Sequence, residues 1–199
     1  DLEPNSTGKK IIKGADEAVN IAVLILLLIL LFFGVYALWD SRQVYQAAAE
    51  ANYTVYKPKQ NDSLTFAQLQ AINPEIFAWI TVNGTGIDYP VAQSTDDAKY
   101  IFTNAKGDYS PSGCPFLDSL NDRHFTDFNN IIYGHHMTGG LMFGDLEKFK
   151  DEAFFNSHPY GNLYYDGVNH GIQFFAFLDV NAYDHTIYNP DIIGNTASQ

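Results

Sequence analysis

The sequence predicts a mainly β domain, an antiparallel barrel or sandwich with short helices inserted in its connections, preceded by an N-terminal transmembrane helix. Three observations predict it. Ile21 to Trp39 are nineteen consecutive uncharged residues, IAVLILLLILLFFGVYALW. After Trp79 the chain breaks into short apolar runs rich in Ile, Val, Phe and Tyr, divided by Gly, Asn, Asp and Pro, the pattern of strands and turns. A length of 199 residues with 46% hydrophobic and 15% aromatic side chains suffices for one domain of ordinary size plus an appendage.

The elements follow in chain order. At a rise of about 1.5 Å per residue, a helix over Ile21–Trp39 spans roughly 28 Å, close to the hydrocarbon thickness of a bilayer. A cleaved secretory signal is the competing reading, with Ala47, Ala48 and Ala49 resembling a processing site. The apolar run exceeds the usual signal core of about 7–15 residues, and Asp40 and Arg42 separate it from those alanines, so an uncleaved anchor is expected. Lys9, Lys10 and Lys13 precede the span and would stay cytoplasmic, which puts the rest of the chain outside the cell. The expected organisation is a cytoplasmic N-terminus at 1–18, a transmembrane helix at 19–39, a helical stalk and linker at 40–62, and a folded domain at 63–199.

Within the domain, Ser63 is expected to cap a short helix carrying Leu64, Phe66, Ala67 and Leu69. Asn73-Pro74-Glu75 reads as a second helix start, with Asn as cap and Pro in the first helical position. Expected strands are Ala78–Val82, Ile87–Ala92, Pro115–Leu117, Asn130–Tyr133, Leu163–Tyr165 and Ile172–Val180. The clearest inserted helix is Gly144–Lys150, where Asp145 and Glu147 open and Lys148 and Lys150 close a segment suited to the helix dipole.

From Asp40 onward the chain holds 8 Lys and Arg against 19 Asp and Glu, a net of −11. Such a surface repels nucleic acid and gains nothing from anionic lipid, so the apolar span and not a basic patch would hold the protein at a membrane. One cysteine, Cys114, excludes an internal disulfide framework, and the core must supply the stability.

The most informative stretch for chemistry is Asn129 to Phe143, NNIIYGHHMTGGLMF. A short apolar run delivers His135 to a strand end behind Gly134, which would let the backbone turn sharply or a substrate come close. Histidine is the usual side chain for moving protons near neutral pH.

Five separated segments resemble the class B sortases, membrane-anchored cysteine transpeptidases of Gram-positive bacteria. They are Asn73 to Ile80 (NPEIFAWI), Gly86 to Gln93 (GIDYPVAQ), Phe116 to Asp118, Ile132 to Met137 (IYGHHM) and Met142 to Leu146 (MFGDL), in the family's order. The resemblance implies a sortase-like antiparallel β-barrel of eight strands. It also implies a reaction in which a cysteine thiolate attacks the Thr-Gly or Thr-Asn bond of a C-terminal sorting signal on a surface protein. The thioacyl intermediate then passes to an amine of a peptidoglycan precursor. In this family a histidine donates a proton to the leaving amine and an arginine stabilises the oxyanion. His135 matches the catalytic histidine, and Asp97, Ile101 and Tyr133 match positions edging the groove for the sorting signal. Asp97 stands where relatives often have an amide. No metal or cofactor is implied.

The family's nucleophile lies in a Thr-Leu-x-Thr-Cys motif on a late strand, with the arginine on the next strand. Asp179 to Gln199 resembles the connection preceding that strand, so the 199 residues read as a sortase without those catalytic strands, expected to be inactive alone. Cys114 is expected to be structural and half-buried. Pro115 beside it offers no backbone donor, and no Lys, Arg or His lies within seven residues of it. Two alternatives remain: a catalytically incomplete surface scaffold or peptide-binding module, and a hydrolase using Cys114 if its thiol lies within hydrogen-bonding reach of His135. His135 and His136, adjacent in sequence, are expected to point in different directions and not to share a metal. His124, His158, His170 and His185 are expected at the surface. The aromatic pairs Phe32-Phe33, Phe154-Phe155, Tyr164-Tyr165 and Phe174-Phe175 could line a peptide groove but are expected to pack in the core, the membrane span or an interface.

Overall fold

The computed structural model describes residues 6–50, 53–59, 64–181, 183–184 and 186–190. The chain forms two compact units, Asp1–Gln43 and Val44–Gln199. The first is built on α1 (Ser6–Glu50), one continuous helix. Its stretch Gly8–Gln46 is long and apolar enough to cross a membrane, and its leucines, isoleucines and phenylalanines are exposed. The Ser63 cap and His185 lie outside the described residues, as does the end of the chain from 191 onward.

The second unit holds α2 (Leu64–Ile72), β1 (Ile76–Val82), β2 (Asp88–Ala92), β3 (Phe116–Leu117), β4 (Ile132–Tyr133), α3 (Glu152–Ser157), β5 (Tyr160–Tyr165) and β6 (Val168–Gln173). Among the described residues the strands form one six-stranded sheet in the order β4-β3-β2-β1-β5-β6. Neighbours run antiparallel except β2 and β3, which are parallel through the pair Ala92 and Phe116, so the sheet is mixed.

Central β1 buries both faces, and a register irregularity between Ile76 and Ala78 decides which residue goes where. Side chains alternate along a strand, and an extra residue resets the alternation. Ile76 and Trp79 therefore face one core with Phe66 and Leu69 of α2, Tyr100, Phe116 and Tyr164. Ala78, Ile80 and Val82 face the other, with Val91, Leu163 and Phe149. The Phe66 ring meets Trp79 and Tyr164 edge-on at 6.3 and 5.5 Å. Phe149 is ringed by Phe154, Phe155 and Phe174 at 5.2, 6.0 and 5.0 Å. Of the expected pairs, Phe154, Phe155, Tyr164, Tyr165 and Phe174 pack in these cores, whereas Phe175 is 93% exposed and Phe32 and Phe33 are exposed on α1.

Several expected elements differ. Asn73-Pro74-Glu75 starts no helix. It is the turn between α2 and β1, where the Glu75 amide donates to Asn73 Oδ1 at 3.2 Å. Buried Asn73 also donates from Nδ2 to Tyr100 Oη at 2.9 Å and to the Ala105 carbonyl at 3.2 Å, so tertiary partners take the side chain expected to cap a helix. The last strand is Val168–Gln173, not Ile172–Val180. Asp166 and Gly167 both have positive φ, 50° and 79°, the two-residue turn that matches strand twist in a hairpin. That turn pairs Tyr165 with Val168 and starts β6 in polar sequence at the sheet edge. Gly144–Lys150 is a 3-10 helix. With three residues per turn, side chains at i and i+3 eclipse, and Lys148 pairs with Asp145 at 2.7 Å and Lys150 with Glu147 at 3.3 Å. Within the stretch expected as stalk and linker, Tyr53 is buried in the first core and Lys57 pairs with Asp88 at 2.9 Å. His158 and His170 are half-buried, stacked on Phe154 at 4.1 Å and on Tyr165 at 3.9 Å, while His124 is exposed as expected.

Trp79 is 1% exposed and donates from Nε1 to Asp88 Oδ1 at 2.7 Å. Trp79→Ala is expected to cost about 3–5 kcal/mol, measured by urea titration of the detergent-solubilised protein. Asp145 ties the β1–β2 turn to the 3-10 helix by accepting from the Gly86 amide at 2.8 Å. Burial raises its pKa, but hydrogen bonds from Lys148 and Gly86 outweigh this and hold it below the ordinary aspartate value. A lowered folded-state pKa contributes stability above the unfolded value, about 3.9, that is lost as pH falls through the folded value. Asp145→Asn is therefore expected to melt earlier than the parent at neutral pH, with the gap closing in melts below about pH 4.

Candidate active site

The site is built where the chain leaves β4. Phe116 pairs with Tyr133 and Leu117 with Ile132 across β3 and β4, which sends Gly134 and His135 off the sheet edge. Gly134 is not among the glycines with positive φ. It is needed because a Cβ there would stand 2.6 Å from the Phe143 ring, so the close approach expected of this glycine is made by the protein's own aromatic side chain. The loop returns through a 3-10 turn at Thr138–Gly140 and closes with the Phe143 amide on the His135 carbonyl at 2.9 Å.

His135 is half-buried, with Nε2 2.8 Å from the Ile101 carbonyl oxygen. A carbonyl only accepts, so Nε2 carries the hydrogen and Nδ1 is the nitrogen open to proton exchange. The Phe102 ring lies 6.4 Å from the imidazole. His136 is exposed and turns to Glu147 at 3.4 Å, so the adjacent histidines do diverge. Among the described residues no group of three His, Cys, Asp or Glu is arranged to hold a metal ion.

Beside His135 lies a cavity of about 370 Å³. All four site residues expected from the sequence line it: Asp97, Ile101, Tyr133 and His135. Ile101 ends a 3-10 turn at Lys99–Ile101, and Asp97 precedes that turn, with Oδ1 accepting from the Ser119 amide at 2.7 Å. Tyr133 donates from its hydroxyl to Asp118 Oδ2 at 2.9 Å and packs against Phe116 with ring centres 5.2 Å apart. Burial first, then the Asp118 hydrogen bond and the charges of Asp118 and Asp97, push the Tyr133 phenol well above its ordinary pKa.

Sequence reasoning missed Phe116 as a wall of the cavity and Asp118 as the partner behind Tyr133. Phe116 and Asp118 sit in a segment singled out for its resemblance, but a cavity wall and a hydroxyl partner have no local sequence signature. Cys114 also borders the cavity. It is fully buried, not half-buried, at 4% exposure. Gly113, with φ 60°, runs so close beneath the carbonyls of Tyr100 and Ile101 that a side chain would collide with them, and this draws Cys114 inward. The thiol donates to the Pro90 carbonyl at 3.5 Å, and the Cys114 amide donates to the Tyr100 carbonyl at 3.0 Å. Burial pushes the thiol pKa far up. Thiol and imidazole are bonded to different backbone carbonyls and not to each other.

No protein-family model matches the chain. It is 36% identical over 140 residues to sortase B of Listeria monocytogenes, covering 70% of this chain and 55% of that protein, so it spans about half the length of this curated relative. Among solved structures, a Streptococcus pyogenes class B sortase involved in pilus biogenesis superposes with a TM-score of 0.61 at 39% identity, covering 63% of this chain and 70% of that one. Sortase B from B. anthracis superposes with a TM-score of 0.58 at 31% identity, covering 76% of this chain and 77% of that one. With identity above three-tenths sustained over more than three-quarters of a solved relative, and the glycine-histidine turn set at the end of β4, the chain belongs to the class B sortases.

Proposed function

We propose that this chain carries the histidine and the substrate groove of a cysteine transpeptidase that cleaves a C-terminal sorting signal after Thr. The enzyme then joins the surface protein to a cell-wall precursor amine through a thioacyl intermediate. The observation that carries this reading is the convergence of Asp97, Ile101, Tyr133 and His135 on one cavity. A thiolate attacks the Thr carbonyl carbon, the C–N bond breaks, and His135 donates a proton from Nδ1 to the departing amine. The incoming amine then attacks the thioester carbonyl carbon, the C–S bond breaks to return the thiolate, and the same nitrogen takes up the proton the amine loses.

Cys114 does not supply that thiolate in this reading. Its thiol is buried, its pKa is raised and its bond goes to a carbonyl, whereas a nucleophilic cysteine needs an exposed and electropositive setting. Arg123 packs on the Phe77 ring and donates to the Glu75 carbonyl at 3.2 Å, so it is not the oxyanion group either. In this reading neither Cys114 nor Arg123 fills the role of nucleophile or oxyanion group. The apolar stretch of α1 anchors the enzyme, with Lys9, Lys10 and Lys13 on the cytoplasmic side and the catalytic unit outside the cell.

The test is cleavage of fluorogenic sorting-signal peptides by the natural full-length protein. His135→Ala is expected to lower kcat/KM by about 10²–10⁴-fold, the usual contribution of a positioned acid, while Cys114→Ala stays within a few-fold of the parent. The 199-residue chain alone is expected not to cleave. Full activity in the His135 variant would overturn the reading, and loss in a Cys114→Ser variant that still melts like the parent would reassign the nucleophile.

A further inference from the structure

The loop after β4 is folded back by a residue in an uncommon conformation. Gly139 and Gly140 take positive φ, 78° and 76°, at no steric cost. Met142 takes φ 52° while its side chain is only 3% exposed, and bulky L residues rarely adopt this left-handed region. Such a conformation persists only where its surroundings hold it. The hold comes from β2, where the Tyr89 hydroxyl oxygen accepts from the Met142 amide at 3.1 Å.

Tyr89 is a firm support for that bond. It pairs with Ile80 across β1 and β2, and its half-buried ring packs, as Phe143 and Leu146 do, against the second core. Burial, opposed by the Met142 bond and helped by the charges of Asp145 and Asp88, keeps the phenol above its ordinary pKa. The hydroxyl therefore stays neutral wherever a histidine titrates, and the hold does not change with pH in that range.

What Met142 fixes is the next residue. The Phe143 amide donates to the His135 carbonyl at 2.9 Å, and the Phe143 ring fills the space beside Gly134. His136 and Met142 pair as an isolated antiparallel bridge. His135 is thus located at two points, its backbone by Phe143 and its Nε2 by the Ile101 carbonyl. The first point depends on Met142 standing where Tyr89 keeps it.

We propose that Tyr89 is a positioning residue for proton transfer at His135, its hydroxyl holding Met142 left-handed so that the Phe143 amide locates the histidine. The inference rests on the transpeptidase reading above. Tyr89 is not on the wall of the cavity, so it acts on the chemical step and not on peptide binding.

The experiment uses the natural full-length protein with Tyr89→Phe, which removes one oxygen and keeps the ring. With fluorogenic Thr-Gly peptides kcat is expected to fall about tenfold, because a small displacement of a reacting group is costly, while KM stays within about twofold. In ¹⁵N-histidine spectra without peptide, the parent is expected to show His135 as one tautomer with its hydrogen on Nε2. In the variant the two nitrogen shifts of His135 are expected to draw together as tautomers mix, with His124 unmoved. A purely structural role would lower the melting temperature and leave kcat and the tautomer as in the parent, and that result overturns the proposal. A loss carried by KM alone overturns it as well. Hydrogen exchange of the Met142 amide in the parent needs no variant and decides the matter should Tyr89→Phe not fold. Protection of at least about tenfold is expected, and exchange at the rate of an unbonded amide overturns the proposal. If His135→Ala cleaves as fast as the parent, the transpeptidase reading falls and this inference with it. If cleavage depends on His135 but not on Tyr89, this inference alone falls.

Discussion

The site depends on a buried polar network that does the work of a sheet where the sheet is thinnest. β2 and β3 share a single paired position and β3 and β4 share two, too few ladder bonds to fix the direction in which β4 leaves the sheet. Buried Gln93 supplies the missing constraint by donating from Nε2 to the carbonyls of Asp118 at 2.8 Å and Asn121 at 2.7 Å. Asn121 in turn accepts from the Ile131 amide at 2.9 Å and donates to the Asn129 carbonyl at 2.8 Å. Asp118 takes the Leu120 amide on one oxygen and the Tyr133 hydroxyl on the other. Each buried polar group is satisfied by another, and a half-satisfied version would be worse than none, so the network orders its members together.

The consequence reaches the chemistry directly. The network closes the loop after β3 onto the start of β4, and the residues that follow are Tyr133 on β4 and then Gly134 and His135 as the chain leaves it. The same loop holds Asp97 through the Ser119 amide. One set of buried bonds thus places the imidazole, the phenol and the carboxylate around a single cavity, while the two cores on either side of β1 pack the remainder of the sheet. Positioning through buried neighbours is what a proton-transfer group needs, because the distance to the reacting atoms sets its efficiency.

How much of this was legible in the sequence follows from the range of each interaction. The run that became β1 is nearly continuous and apolar because a central strand is covered on both faces, and the sequence shows that plainly. β6 lies at the edge and reads Val-Asn-His-Gly-Ile-Gln, so hydrophobicity alone moved it downstream. The Asp-Gly pair at 166–167 was the signal that would have set its register. Asn73-Pro74 carried a sound local helix signature that lost to the partners Tyr100 and Ala105, more than twenty-five residues away. The site residues were found through the resemblance of short segments. Nothing local announced that Asp118 would lie beneath Tyr133, or that Gly113 would pull Cys114 into the interior.

The central claim is that a sorting-signal peptide occupies the cavity beside His135. Imidazole nitrogen resonances of the ¹⁵N-histidine-labelled full-length protein test it directly during titration with a non-cleavable sorting-signal peptide. The account predicts that the His135 signals move while those of His124 do not. Movement of His124 with His135 unchanged would put the peptide in the separate groove lined by Phe66, Arg123 and Asp166, and would contradict the account.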